Sequence, residues 1–343
     1  MKILIPFIAL VSICTSSFPV LAQPGTGAVS KAQMNGAVQA VKAGKRAPVP
    51  LFRDPVFDAP TDPVLCFNES EKKWLMYYTQ RRATATNAPG VTWVHGTEIG
   101  IAESSDGGAT WRYRGVADID YGKDTHPTNY TYWAPEVIWV TNAYHMFLSF
   151  VPGIFSDWSH PRDIVHLTST DGIRWRTIGK VDLRSDKVID AGVIQLPDGS
   201  WRMWYKDERK PKALCYADSV DLHNWVPKGN AVTDYNGEGP KVFRWKDRYW
   251  LIADCWANGM RVWSSDDCLN WKMQEKMLFG NHGDVVVSGA RAWWFYFAGP
   301  HEPPRQKRTA IYVAELNVVD GELTADAFEP AYIDLKSERE EER

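Results

Sequence analysis

Five ionisable residues stand at matching places in a repeated pattern: Asp62, Glu136, Asp190, Glu238 and His282 each precede a short apolar run. Turn formation alone would favour Gly, Asn or Asp at such places, not two Glu and a His. Carboxylates gathered around one point repel one another, and a fold keeps that cost where something uses it. The competing reading is a polar funnel that holds water or a cation. Hydrolysis of a glycosidic bond calls for this kind of set: one carboxyl protonated to donate to the leaving oxygen, the other ionised to activate water. A third carboxylate can push one pKa up and orient the pair. Asp62, Asp190 and Glu238 are therefore the candidate catalytic acids. Trp133, just before Glu136, is a candidate sugar wall, with core packing as its alternative role.

Residues so far apart meet only if repeated elements bring them together. Runs rich in aromatic and β-branched residues occur at 74–79, 144–151, 201–205, 249–253 and 292–298. Each follows, across a short turn, another apolar run, at 64–67, 137–140, 193–196, 242–245 and 285–287. Five hairpins result. Four are followed by an Asp-to-Trp element, Asp106 to Trp111, Asp171 to Trp175, Asp221 to Trp225 and Asp267 to Trp271, in which Asp turns the chain and Trp packs an outer strand. Self-similarity near fifty residues with no helical periodicity predicts an all-β, five-bladed β-propeller as a single domain over residues 49–336. The fifth unit lacks the Asp-to-Trp element and is expected to close differently. In such a ring the innermost strands converge on one axis, where the five ionisable positions would meet.

The segments Thr61-Asp62-Pro63-Val64, Tyr132-Trp133-Ala134-Pro135-Glu136-Val137, Val188-Ile189-Asp190-Ala191-Gly192-Val193, Gly237-Glu238-Gly239-Pro240-Lys241-Val242 and Asn281-His282-Gly283-Asp284-Val285 resemble, in order and by blade, the signatures of glycoside hydrolase family 43 and its clan relatives. The resemblance covers about residues 50–315. It implies an inverting glycosidase acting on plant or algal polysaccharide, exo-acting or debranching, without an organic cofactor. Asp62 would be the general base, Asp190 the orienting carboxylate and Glu238 the general acid. His282 would be the axial residue, which could help hold a calcium ion or water, though a lone His is more often structural.

The chain departs from the family pattern at Ala191-Gly192, where the third signature usually has Pro after its Asp, and Asp54-Pro55-Val56 duplicates the first signature eight residues earlier. Family 117, which acts on 3,6-anhydro-galactose units, is similar in blade number. In that relative a histidine may serve as the acid, and His126 would be its counterpart here. A retaining fructan-type hydrolase and a non-catalytic sugar-binding propeller are the rival readings. Arg81, Arg82 and Lys206, at the ends of second strands, are expected to reach the axial mouth, with solvated rim charges as the alternative. The loops 83–96 and 155–162 would shape the pocket.

The remaining composition sets limits. A formal net charge of -3 offers no basic face for a nucleic acid. Residues 1–22 read as a signal peptide, with Lys2, an apolar stretch and Val20-Leu21-Ala22, so a secreted or periplasmic protein is expected. No later run is long enough to span a membrane. Residues 23–48 are expected to be loose, as is the charged tail 337–343. Four cysteines remain after the leader, with Cys255 and Cys268 the first candidates for a disulfide and buried thiols the alternative.

Overall fold

In the computed structural model the described residues are 43–85, 87–123, 129–300 and 307–336. Each expected hairpin is present: Pro60–Asn68 with Lys73–Gln80, Thr131–Val140 with Ala143–Val151, Val188–Gln195 with Trp201–Asp207, Glu238–Trp245 with Arg248–Asp254, and Asn281–Ser288 with Arg291–Ala298. A third and a fourth strand extend each hairpin outward, giving five antiparallel sheets in a ring, a five-bladed β-propeller. The second blade carries one strand more, Asp118–Ile119, which pairs in parallel with the outer strand Arg174–Lys180.

Period-two alternation explains why the blades stack. In the first blade Leu65, Met76 and Tyr78 face the fifth blade, packing on Trp293, Phe295 and Val313. Their neighbours Val64, Cys66, Leu75 and Tyr77 face the second blade, against Tyr132, Val137 and Met146. Both faces of the sheet are thus buried, so the strands read as continuous apolar runs. Each large side chain removed from water contributes about 1.5–3 kcal/mol. Trp263, 1% exposed between the third and fourth blades, would cost about 3–5 kcal/mol if truncated to Ala.

The Asp-to-Trp elements are turns. Asp171 Oδ1 accepts the N–H groups of Ile173 and Arg174 at 2.8 Å each, and Asp267 Oδ1 those of Leu269 at 2.9 Å and Asn270 at 2.8 Å. Trp111 and Trp225 donate their indole N–H to Gly108 O and Leu222 O, so each Trp locks the turn that precedes it.

The fifth blade is built from one continuous stretch, with Ala310–Val319 and Glu322–Ala325 as its outer strands. Closure comes from the termini. Lys45–Arg46 pairs with Tyr332–Ile333, Ala47 N–H donates to Ala331 O at 2.8 Å, and Phe52 bridges Ile311. Residues 45–47, expected to lie in the loose segment 23–48, therefore belong to the propeller, because the seam between the first and fifth blades needs a strand the blades themselves do not supply. The expected signal peptide and the charged tail lie outside the described residues. Cys215, Cys255 and Cys268 are buried free thiols, so the Cys255–Cys268 disulfide is not formed.

Candidate active site

All five innermost strands carry a β-bulge near their start, where the register slips at Thr61/Val64, Trp133/Glu136, Ile189/Gly192, Glu238/Lys241 and Asn281/Gly283. A bulge bends the strand and re-aims side chains. At its vertex stand Asp62, Ala134, Asp190 and Gly239, all left-handed, with φ of 54°, 38°, 60° and 60°. Non-glycine residues pay about 1–3 kcal/mol for such a conformation. Gly239 is required twice over: besides its φ, a Cβ there would lie 2.3 Å from His282 Cγ. Gly192 is constrained in a similar way, since a Cβ there would meet Pro240 O at 2.1 Å.

Neighbouring blades fix the vertices. Asp190 N–H donates to Ser149 Oγ at 2.9 Å, and Ala134 N–H donates to Thr79 Oγ1 at 2.8 Å, so two second strands hold the bulge of the next blade in the same way. The result is a cavity of about 520 Å³ at one end of the axis, lined by Asp62, Asp190, Glu238, His282, Arg81 and Trp133 among others. The three candidate acids share it. Asp54 does not: it caps its own turn through Val56 and Phe57 N–H and accepts from Tyr78 and Gln80, so of the two first-blade aspartates Asp62 is the one that lines the cavity.

Glu136 is the exception. Counting from the strand start overlooks the bulge; the residue equivalent to Asp62 is Ala134, and Glu136 belongs to the next layer down. There Lys241 Nζ lies 3.0 Å from both Glu136 carboxylate oxygens and 2.8 Å from Asp284 Oδ1. Glu136 Oε1 also accepts Val193 N–H and Asp284 Oδ2 accepts Leu65 N–H, at 3.1 and 2.8 Å. Burial works against the ammonium, yet Asp284 and Glu136 outweigh it and hold the Lys241 pKa above its usual value. Glu136 is thus a buried ion-pair member and not part of the cavity lining.

Electrostatics separate the acids. Glu238 is pushed up to about 7, first by burial, then by the Asp254 charge, against a hydrogen bond from the Trp256 side chain. Asp190 is raised well above the carboxylate range by burial, then by Glu238 and Asp62. Two such neighbours do not both ionise at neutral pH; the pair retains a proton. Asp62 Oδ2 accepts from Thr61 Oγ1 at 2.9 Å and lies 3.8 Å from Arg81 Nη2, whose guanidinium also covers the Phe297 ring. His282 Nδ1 lies 3.6 Å from Asp62 Oδ1 and 4.0 Å from Asp190 Oδ2. Burial lowers the His282 pKa against the pull of Asp62 and Asp254, which leaves a neutral imidazole.

Of the three expected basic groups only Arg81 reaches the cavity. Arg82 donates to Thr92 O, and Lys206 Nζ is spent on the carbonyls of Lys210, Pro211 and Ala213 and on Asn236 Oδ1. The loop 155–162 brings Arg162 instead, 1% exposed, its guanidinium 5.4 Å from the Trp133 ring and 2.7 Å from Glu208 Oε2. Trp133 donates its indole N–H to Val94 O at 2.6 Å, so it is an oriented wall. His126 lies outside the described residues. Glu208, Asp254 and Trp256 also line the cavity and were not anticipated. Register would have found them, because Arg81, Glu208 and Asp254 sit at or just past the ends of second strands, opposite the bulges.

No protein-family model matches the chain, and no curated protein matches it in sequence. Solved structures do. A thermostable family-43 glycoside hydrolase matches with TM-score 0.62 and 18% identity over 83% of this chain and 100% of the other. A family-43 β-xylosidase/α-arabinofuranosidase from a compost microbial metagenome, in complex with xylotriose, matches at 0.63 and 16% over 82% and 98%. A family-43 β-1,3-galactosidase with galactodeoxynojirimycin matches at 0.63 and 15% over 81% and 97%. The chain therefore has the family-43 fold.

Proposed function

We propose that the chain is a glycoside hydrolase that inverts the anomeric centre, with Glu238 as general acid, Asp62 as general base and Asp190 as the carboxylate that orients and tunes them. The observation that carries this reading is the convergence of Glu238, Asp62 and Asp190 on one cavity, where burial and the Asp254 charge push Glu238 up to about 7. A donor near neutrality is what general-acid catalysis at physiological pH requires. Asp62 takes a proton from water as the water oxygen bonds to the anomeric carbon. The bond to the leaving oxygen breaks, and that oxygen takes the Glu238 proton. Hemiacetal and alcohol result. Arg81 balances the base's charge, and His282 spaces Asp62 from Asp190.

The substrate is read as the end or a side unit of a plant or algal oligosaccharide, of arabinofuranoside or xyloside type. A cavity of about 520 Å³, within the roughly 300–1,000 Å³ of small-molecule sites, favours exo or debranching action over a long groove. Trp133 and Arg81 are the wall and the polar contact for that sugar. Export by the leader, giving a secreted or periplasmic enzyme, is part of the same proposal. Among the described residues no helix is long and apolar enough to cross a membrane.

Calcium at the axis does not suit these residues. It takes six to eight oxygen ligands at about 2.3–2.6 Å, whereas His282 offers a nitrogen and, among the described residues, no group of three or more His, Cys, Asp or Glu side chains is arranged to hold a metal ion. The layer beneath already holds a cation, the Lys241 ammonium.

The test is release of reducing sugar by the purified protein from arabinan, xylan, pectic and algal oligosaccharides, with Asp62→Asn as control. Release by wild type and its loss in the variant are expected. A wild type that binds these sugars but releases nothing would instead make the chain a sugar-binding propeller.

A further inference from the structure

Two tryptophans at the cavity stand half in solvent, Trp158 at 50% and Trp256 at 49% exposure. Trp256 sits in the turn that follows strand Arg248–Asp254, and register places Asp254 opposite Glu238. Its backbone has φ 50°, a left-handed conformation that costs an ordinary L-residue about 1–2 kcal/mol. Asp254 holds it there, since Asp254 Oδ1 accepts Trp256 N–H at 2.9 Å. The turn is closed by Cys255 N–H to Gly259 O at 3.0 Å and Gly259 N–H to Trp256 O at 2.9 Å. Trp256 lines the same cavity as Glu238, and toward a carboxyl an indole N–H can only donate. A large aromatic is therefore kept in a costly conformation, half exposed, in the cavity that holds Glu238.

We propose that the Asp254–Trp256 turn is the leaving-group subsite, with the Trp256 ring as the platform for the departing sugar and Asp254 as the positioning residue that holds the ring against Glu238. This rests on reading Glu238 as the proton donor. A general acid must touch the leaving oxygen, so a ring on the turn that register sets opposite that acid, open to solvent, flanks the leaving group rather than the sugar that is attacked. A flat apolar face with a polar edge is the surface a pyranose or an aryl aglycone stacks on. The turn also tunes the acid from both sides: the Asp254 charge favours the protonated form of Glu238, and the indole N–H favours the ionised form.

The experiment follows Glu238 in full-length protein labelled with ¹³C at the Glu carboxyls, beside kinetics on a trisaccharide and on the methyl glycoside of the same sugar. Trp256→Phe, a change at an exposed position that keeps a ring, should raise the Glu238 pKa and carry the alkaline limb of kcat/KM with it. Asp254→Asn should lower both. Trp256→Ala should cost the trisaccharide roughly five- to tenfold more in kcat/KM than the methyl glycoside, as stacking energies imply, because the shift of the Glu238 pKa acts on both substrates alike and only the trisaccharide loses the platform. Equal losses on both substrates, or a Glu238 titration unmoved in both Trp256→Phe and Asp254→Asn, would overturn the proposal. A wild type inactive on every glycoside would defeat the proposed function alone; opposite shifts of Glu238 in the two variants would still uphold the turn's hold on that carboxyl, and unmoved titrations would still overturn it.

Discussion

The backbone N–H of Gly239 donates to Asp190 Oδ2 at 3.0 Å. The residue that follows the proposed acid is thereby tied to the proposed orienting carboxylate of the neighbouring blade. Any shift of the fourth inner strand reaches Asp190, and any change of charge on Asp190 is felt at Glu238. Glycine alone fits this place, with φ 60° and His282 where a Cβ would go. Gly239→Ala is expected to lower kcat by more than tenfold and to destabilise the protein by at least 1 kcal/mol, the lower bound for such strain. Kinetics and thermal melts of the variant check both.

Replacing Glu238 by Gln keeps shape and removes the proton. Loss of a general acid typically costs about 10² to 10⁴ in rate, and the cost should depend on the leaving group. An activated aryl glycoside should restore most of the rate in Glu238→Gln, while Asp62→Asn stays inactive on both substrates because the attacking water lacks its base. If Glu238→Gln were equally impaired on both and His126→Ala showed the leaving-group dependence, the acid would be the histidine.

The pKa of about 7 at Glu238 gives activity a direction with pH. The acid is competent below that value, so kcat/KM should fall as pH rises through about 7. Stability shares the sign. A carboxyl whose folded pKa is raised binds more protons folded than unfolded between about 4.5 and 7, so folding weakens as pH increases across that window. Melting temperature should drop over the same range, and Glu238→Gln should flatten the drop.

The Glu136–Lys241–Asp284 cluster makes a prediction about stability alone. Lys241→Met leaves two buried carboxylates without a cation, and breaking a buried pair in this way costs about 3–5 kcal/mol. The triple variant Lys241→Met, Glu136→Gln, Asp284→Asn should recover much of that loss. Denaturant melts of both variants decide the matter, and a triple variant no more stable than the single would mean that geometry and not charge holds the layer.

How much of this was legible in the sequence follows from which signals are local. Continuous apolar runs such as 74–79 announce strands buried on both faces, and five of them in register announce the ring. Asp171 and Asp267 announce turns because a carboxylate that accepts two backbone N–H groups is a local device. The bulge is not local in this sense. It depends on Thr79 and Ser149 of the preceding blade, and without it Glu136 was counted into the catalytic layer while Ala134 holds that place. Lys206 was misplaced for a related reason: its carbonyl partners lie in a loop whose path the sequence does not dictate. Asp254 and Glu208 were within reach, since the ends of second strands converge on the axis as the starts of first strands do.

Hydrolysis with inversion is tested most directly by proton NMR of the anomeric signal during turnover. With a glycoside that the reducing-sugar screen shows to be cleaved, the first product formed should carry the opposite anomeric configuration to the substrate, before mutarotation mixes the two, and Asp62→Asn should give no such signal. A first product of retained configuration would contradict the assignment of Asp62 as a base and make it, or a neighbour, the nucleophile.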